Sequence, residues 1–493
     1  MSGPRDVVLG TARPQPSEVV AIADGARVVL APAALDLLAA SRAVVDRAIE
    51  AGEPVYGLNR RLGAGRDTAI DPAEFDAFQR RTIRNHRGGV GEPLSRREAR
   101  AVVAARLVGF TRGGAGVRPE LAAAYAAILN ADVVPLIPKR GSVGAADLTA
   151  LAEVAAVVTG DGTVLEAEGG ELAAADALAA AGLTPLALAP HEALAALSAN
   201  AYSVGVGSLA AVEADRLTLA ADRAVALSLE AVGSAGPAGN PGAFSELVAD
   251  ARGGEGQQAS AAAVRSLLSG SALYAADRVM TVQDPLSFRT ASQLHGALQQ
   301  SVRRLHDELV VELAARSENP VADVASGRLV SGGNFQALPL ALDFESLRVA
   351  LAHVAAASER RSAALSLALA PARADGRTRV PGLVLYAAAA DAAELRQLAA
   401  PVTLGSTTLS GVEDHASLAP LALQTLQRSL ELTREVLAIE ALHASDLLHA
   451  GGSVPAGHGT GPLAAAVDEV IGSGVPAREL VTRAADALFA DPR

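Results

Sequence analysis

Leu294, Leu298, Val302, Leu305, Leu309 and Leu313 recur at spacings of three and four residues, which places them on one face of a single long α-helix. A second stripe, Leu418, Leu421, Leu426, Leu430, Val436 and Leu437, predicts another helix over roughly 416–449. Between them, 339–370 reads as a third, with Pro339 near its first turn, where a missing amide hydrogen does no harm. Helices this long bury their apolar stripes against one another. The expected fold class is therefore all-α, a bundle of long helices of the kind that often assembles across subunits. Composition agrees: half of the 493 residues are hydrophobic but only 3% are aromatic, and the apolar mass is largely Ala and Leu, both good helix formers.

The same composition excludes several classes of function. With no cysteine there is no disulfide, thiolate metal site or Cys nucleophile, which suits a cytoplasmic setting. A net charge of −12 disfavours nucleic acid and anionic membrane surfaces as partners. Pro4, Arg5 and Asp6 precede any apolar run, so no secretory signal is expected. Ala193–Val212 is uncharged and long enough to span a bilayer, but it carries Ser198, Asn200, Tyr202, Ser203, Gly205, Gly207 and Ser208. That polar load fits poorly in lipid, and the stretch is expected to be one buried core helix. No His/Asp/Glu cluster has metal-ligand spacing, and no Gly-rich nucleotide motif stands in a strand–turn–helix context, so no metal is expected.

Gly- and Pro-rich stretches at 52–66, 111–119, 232–243, 253–256, 331–334 and 451–462 punctuate the chain. They suggest an N-terminal region of loops and short elements carrying the active site (1–200), a central long-helix bundle (201–450) and a short helical tail (451–493). Arginine pairs at 80–81, 96–97, 303–304 and 360–361 read as solvated helix faces or subunit salt bridges.

Five loop motifs remain: YGLNRRLGAG at 56–65, GSVGAADLTALAEVAAVVTGDG at 141–162, QDPLSFR at 283–289, SGGNFQ at 331–336 and VEDH at 412–415. In the second, a glycine turn leads to Asp147 as the N-cap of an apolar helix that Gly160 closes. Each motif alone is weak; a lone Tyr-Gly is most simply a surface turn. In this order, and with NHRGGVGEPL at 85–94 and SENP at 317–320, they resemble the histidine and aromatic amino-acid ammonia-lyase family over roughly residues 20–450. The resemblance implies a homotetrameric helical bundle whose active sites draw on several subunits and act on a small carboxylate substrate. It makes Tyr56 the match of the general base at the substrate's β-carbon. Arg289 matches the residue that clamps the carboxylate, a bidentate task suited to guanidinium. His86 and Glu413 match contacts to the side chain in the histidine-specific branch, and Gln283, Asn334 and Phe335 match the pocket wall.

The departures are as informative. Family members build a methylidene-imidazolone electrophile by cyclising an internal Ala-Ser-Gly: the Gly amide attacks the Ala carbonyl and the Ser side chain leaves as water. This chain reads Gly144, Ala145, Ala146, Asp147, Leu148, one residue shorter and without that Ser or Gly. Ser142 is followed by Val143 and cannot substitute. Ala145, Ala146 and Asp147 thus stand at the former ring position, and neither ring nor any other cofactor is expected. The ring-binding Asn falls at Ser198, with Asn200 nearby; the second catalytic Tyr is Leu286; Thr-Gly-Phe of the first loop is Arg60, Arg61 and Leu62; and Gln before Glu413 is Val412.

Read residue by residue, Tyr56 is either a retained base or a relic packing residue. As a base it needs a neighbouring positive charge, for which Arg60 or Arg61 is at hand. Arg289 is a carboxylate clamp or a bundle salt bridge. His86 is a satisfied core histidine or, with Glu413, an acid/base or recognition couple. Catalytic candidates are then Tyr56, His86 and Glu413. Substrate-binding candidates are Arg289, Asn59, Arg60, Arg61, Ser198, Asn200, Gln283, Leu286, Asn334 and Phe335. The favoured reading is a ring-independent lyase performing elimination, or conjugate addition or cyclisation, on an amino-acid-like carboxylate. A non-catalytic ligand-binding or partner-stabilising paralogue and a histidine-type ammonia-lyase remain open beside it.

Overall fold

The computed structural model describes residues 6–405, 413–453 and 457–490; Pro4, Arg5 and Val412 lie outside them. Helix accounts for 62% of the chain. The three helices expected from periodicity run Ala291–Ala314, Leu338–Ala368 and Ala419–Ala450. Leu298, Val302, Leu305, Leu309 and Leu313 are buried and Leu294 is half-buried, as the stripe requires. The second stripe is less regular. Leu421 is exposed, and Leu418 sits before the helix with φ +52°, its amide bound to the Val143 carbonyl at 2.8 Å.

Ala193–Val212 is not one helix. Glu192–Leu197 ends at Ser198, and a new helix, Ala201–Ala235, begins after Asn200. The break has local causes. Ser198 Oγ accepts the Asn319 amide (3.0 Å), and the Asp147 carboxylate accepts the Ser203 amide (2.9 Å) in the first turn of the new helix. Asp147 does occupy the cap position of Leu148–Thr159, but its side chain caps the other helix. By length and composition the segment Glu192–Ala235 is apolar enough to cross a membrane, yet 94% of its apolar window is buried within the protein.

The chain forms two compact units, each discontinuous in sequence. The first comprises 1–211, 305–344 and 402–424. Four small sheets, with strands of two to four residues, fall in its segments among the described residues. Such strands are too short for an alternating pattern to be readable. The core of this unit includes Arg96–Phe110, started by a reciprocal Ser95–Glu98 capping box. Gly205 meets that helix backbone to backbone: a Cβ there would lie 2.4 Å from the Ala101 carbonyl oxygen. Arg106, fully buried, pairs with Glu318 at 3.0 Å, donates to the Ala195 and Ala196 carbonyls and stacks on Phe110. Ion pairing satisfies its charge where water cannot.

The second unit comprises 212–304, 345–401 and 425–493. Arg361, read from sequence as part of a solvated face or subunit bridge, is instead at 0% exposure and forks onto Glu440, whose carboxylate also accepts from Ser228 and Ser358. Four hydrogen bonds on one carboxylate make a buried pair tolerable. Residues after 451 include the helices Thr460–Gly472 and Ala477–Phe489.

Candidate active site

The loop that carries Tyr56 is fixed by its own backbone. Asn59 accepts the Val55 amide (2.8 Å) and donates to the Glu53 carbonyl (2.7 Å). Gly57, at φ +72°, passes directly over Leu194, where a Cβ would come within 2.1 Å of that side chain. The Tyr56 hydroxyl accepts the Gly63 amide at 3.0 Å. Burial and, less strongly, the Glu413 carboxylate push the Tyr56 phenol up, while the Gly63 amide and Arg66 act against them. The positive charge acting on Tyr56 therefore comes from Arg66, not from Arg60 or Arg61. Arg60 donates to the Asn59 carbonyl (3.1 Å), and Arg61 is exposed.

His86 ends the helix Phe75–His86, and its Nδ1 lies 2.7 Å from the Thr82 carbonyl. A carbonyl only accepts, so Nδ1 carries the proton and Nε2 is the nitrogen left for a ligand. The turn before Leu148–Thr159 brings Ala145 and Ala146 opposite Phe335 and Gln336, with the Ala146 amide on the Phe335 carbonyl (3.2 Å). Ala146 holds φ +58°, a left-handed conformation that costs a residue with a Cβ roughly 1–2 kcal/mol. The turn is braced by Ser142, which donates to Asp147 (2.7 Å), and by Ser417, which donates to the Gly144 carbonyl (2.8 Å). Among the described residues the Ala145 and Leu148 amides have no protein acceptor.

These parts enclose a cavity of about 900 Å³. Of the residues singled out from sequence, Tyr56, Arg60, His86, Ala145, Ala146, Ser198, Phe335 and Glu413 line it. Asn59, Arg61, Asn200, Asn334 and Asp147 do not. Asn59 is bound to its own loop and Asn334 donates to the Arg316 carbonyl. Asn200 is buried without a hydrogen bond of good geometry, and Asp147 is fully buried. Gln283, Leu286 and Arg289 belong to the second unit and are not among the lining residues. Gln283 and Leu286 are exposed; Arg289 is half-buried, its Nε is buried without a partner, and no described residue forms an ion pair with it. The salt-bridge reading of Arg289 thus finds no counter-ion.

Sequence reasoning overlooked Arg66, Asn319, Gln336 and His415, all of which line the cavity. Gln336 Nε2 donates to His415 Nδ1 at 3.0 Å, leaving His415 with a proton on Nε2. Both residues close motifs already picked out, SGGNFQ and VEDH, which was the available signal. Among the described residues no group of three or more His, Cys, Asp or Glu side chains could hold a metal.

The fold has counterparts among known proteins. The chain belongs to the aromatic amino acid lyase family, whose model matches residues 15–469. It is 38% identical over 449 residues to the histidine ammonia-lyase of Anaeromyxobacter sp. (strain K), covering 87% of each chain. In structure it is similar to the ergothioneine-degrading enzyme ergothionase of Treponema denticola, with TM-score 0.90, 26% identity and 98% of both chains covered. The histidine ammonia-lyase of Trypanosoma cruzi superposes with TM-score 0.87 at 26% identity, covering 98% of this chain and 93% of that one.

Proposed function

We propose that this member of the lyase family works without the self-made ring, eliminating or adding a group across the α,β-bond of an amino-acid-like carboxylate, with Tyr56 as base at the β-carbon. One observation carries the reading: Gly144–Leu148 supplies no Ser-Gly for cyclisation, while Ala145 and Ala146 line the same cavity as Tyr56. In elimination the Tyr56 phenolate takes the β-proton, the C–H electron pair becomes the Cα=Cβ bond, and the α-substituent leaves with its bonding pair. An unactivated α-amino group leaves poorly. A quaternary ammonium leaves as a neutral amine and needs no electrophile.

Ergothioneine, which the Treponema enzyme degrades, is a histidine-derived betaine with such a trimethylammonium group. A trimethylammonium betaine is therefore the substrate class we favour. Its cation, bound near Glu413, offsets the carboxylate that holds the Tyr56 phenol up, so substrate binding itself favours the phenolate. The free Ala145 and Leu148 amides, the latter at a helix N-terminus, suit a carboxylate or a developing enolate. Arg60 and Arg66 line the same space. The unpaired Arg289, flanked by the exposed Val282 and Leu286, fits a carboxylate clamp presented to a second copy of the chain in a homotetramer. A cytoplasmic setting fits the cysteine-free composition.

The identity with histidine ammonia-lyases favours a second reading, deamination of histidine itself. Purified protein offered histidine and ergothioneine separately decides between the two, with released amine and the unsaturated acid as readouts. The ring-free reading expects turnover of the betaine, no ammonia from histidine, and an intact mass equal to that of the encoded chain. Ammonia from histidine, with a mass lower by two waters in the peptide around Ala145, would overturn it.

A further inference from the structure

The helix that ends in His86 has a second face. Arg80 and Arg84 stand four residues apart on it and, with Arg87 just past its end, line a separate groove of about 860 Å³ that shares no lining residue with the Tyr56 cavity. Arg81 also lines the groove, its guanidinium 6.0 Å from the centroid of the Phe78 ring. Arg87 is already engaged, by Glu153 (2.9 Å) and the Asp161 carbonyl (2.9 Å). Arg80, Arg81 and Arg84 form no ion pair with any described residue, whereas Arg96, Arg97, Arg100 and Arg106 of the Arg96–Phe110 helix all do. Gln79, only 1% exposed, ties the same helix to its neighbour from within: its Oε1 accepts the Ala193 amide (2.8 Å).

We propose that this groove is a ligand site for a nucleoside phosphate. Arg80 and Arg84, exposed and without ion pairs, with Arg81 and Arg87 beside them, call for several anionic oxygens in one place, and the guanidinium fork matches phosphate. The opposite wall is apolar, formed by Ala156, Pro185, Leu186 and Leu188, and gives a flat organic body a surface to lie on. Asp76 and Asp161 also face the groove. Their carboxylates can accept hydrogen bonds from sugar hydroxyls. The volume lies in the range of sites for molecules of this size.

Titration calorimetry at low ionic strength with ADP, pyrophosphate and adenosine tests the assignment. ADP should bind, pyrophosphate more weakly, and adenosine not measurably. The double variant Arg80→Ala/Arg84→Ala should weaken ADP binding at least about tenfold, a loss typical of charge-assisted contacts at a partly exposed site. Arg80→Lys/Arg84→Lys should fall between it and the parent, because charge remains without the fork. Tyr56→Phe should bind ADP like the parent, which separates this site from the proposed lyase chemistry. No binding of either phosphate, adenosine binding as well as ADP, or equal affinity in the double variant with an unchanged melting temperature would each overturn the proposal.

Discussion

The Asp147 carboxylate accepts the Ser203 amide at 2.9 Å, so the residue that opens one helix caps another 56 positions along the chain. Ser142 holds the same carboxylate at 2.7 Å, and burial raises its pKa against these bonds. Because the group is fully buried, truncating it strands a donor on each side. Asp147→Ala should therefore destabilise the fold by about 2–4 kcal/mol, and Asp147→Asn, which keeps one acceptor oxygen, by clearly less. Urea unfolding of the two variants checks the order; equal losses would mean that the cap is incidental.

Ala146 offers the opposite case, a residue whose backbone prefers another side chain. At φ +58° a Cβ is unfavourable by roughly 1–2 kcal/mol, while glycine in the same place loses about 0.4–1 kcal/mol through the freer unfolded chain. Ala146→Gly should raise stability by up to about 1 kcal/mol, and Ala146→Val should lower it by more than that. Thermal melts of both variants measure the sign.

These two residues also show what the sequence could and could not disclose. Position 147 as a helix start was legible, because a polar residue between a glycine turn and an apolar run is a local signal. Its partner was not, since Ser203 lies on a different segment and nothing local links the two. The same holds for the site. Tyr56, His86 and Glu413 were found through motif order, and the cavity brings them together. The charge acting on Tyr56 was misplaced because Arg60 and Arg61 are nearer in sequence, whereas Arg66 is the one that acts on it. The long helices were readable from periodicity over several turns; the two- to four-residue strands had no period to read.

For Tyr56 the expected signature is in the pH profile. Its phenol pKa is raised by burial and Glu413, and the proposed base is the phenolate. The rate at low substrate should therefore rise with pH up to and beyond the ordinary tyrosine range, with no plateau below it. Glu413→Gln removes one of the groups that raise the pKa and should move the rising limb to lower pH. Tyr56→Phe should lower kcat/KM by about 10²–10⁴ and leave substrate binding nearly intact. A Phe variant as active as the parent would remove Tyr56 from the mechanism.

Arg289→Lys keeps the charge but not the planar pair of donors. If Arg289 clamps a substrate carboxylate, the change should raise KM about tenfold or more. No described residue pairs with Arg289, so the variant should melt within about 1 °C of the parent. A lower melting temperature with unchanged KM would make it a structural arginine.

Glu312 gives the clearest stability dependence on pH. Burial, then the Glu308 carboxylate, push its carboxyl up to about 7 from an ordinary value near 4.5, with Asp147 adding in the same sense and Asn200 opposing. The folded state thus holds a proton that the unfolded chain releases near pH 4.5. Between that value and about pH 7 the folded form binds more protons, so its stability falls as pH rises, and above 7 the whole penalty is in force. At 1.36 kcal/mol per pKa unit the penalty is on the order of 3 kcal/mol. Glu312→Gln mimics the protonated acid at every pH. It should leave stability near pH 4.5 almost unchanged and raise it at pH 8, with the gain growing across the interval between. Urea unfolding of parent and variant at pH 4.5, 6 and 8 supplies the comparison. A difference that stays constant across the three would show that Glu312 ionises in the fold as it does in water.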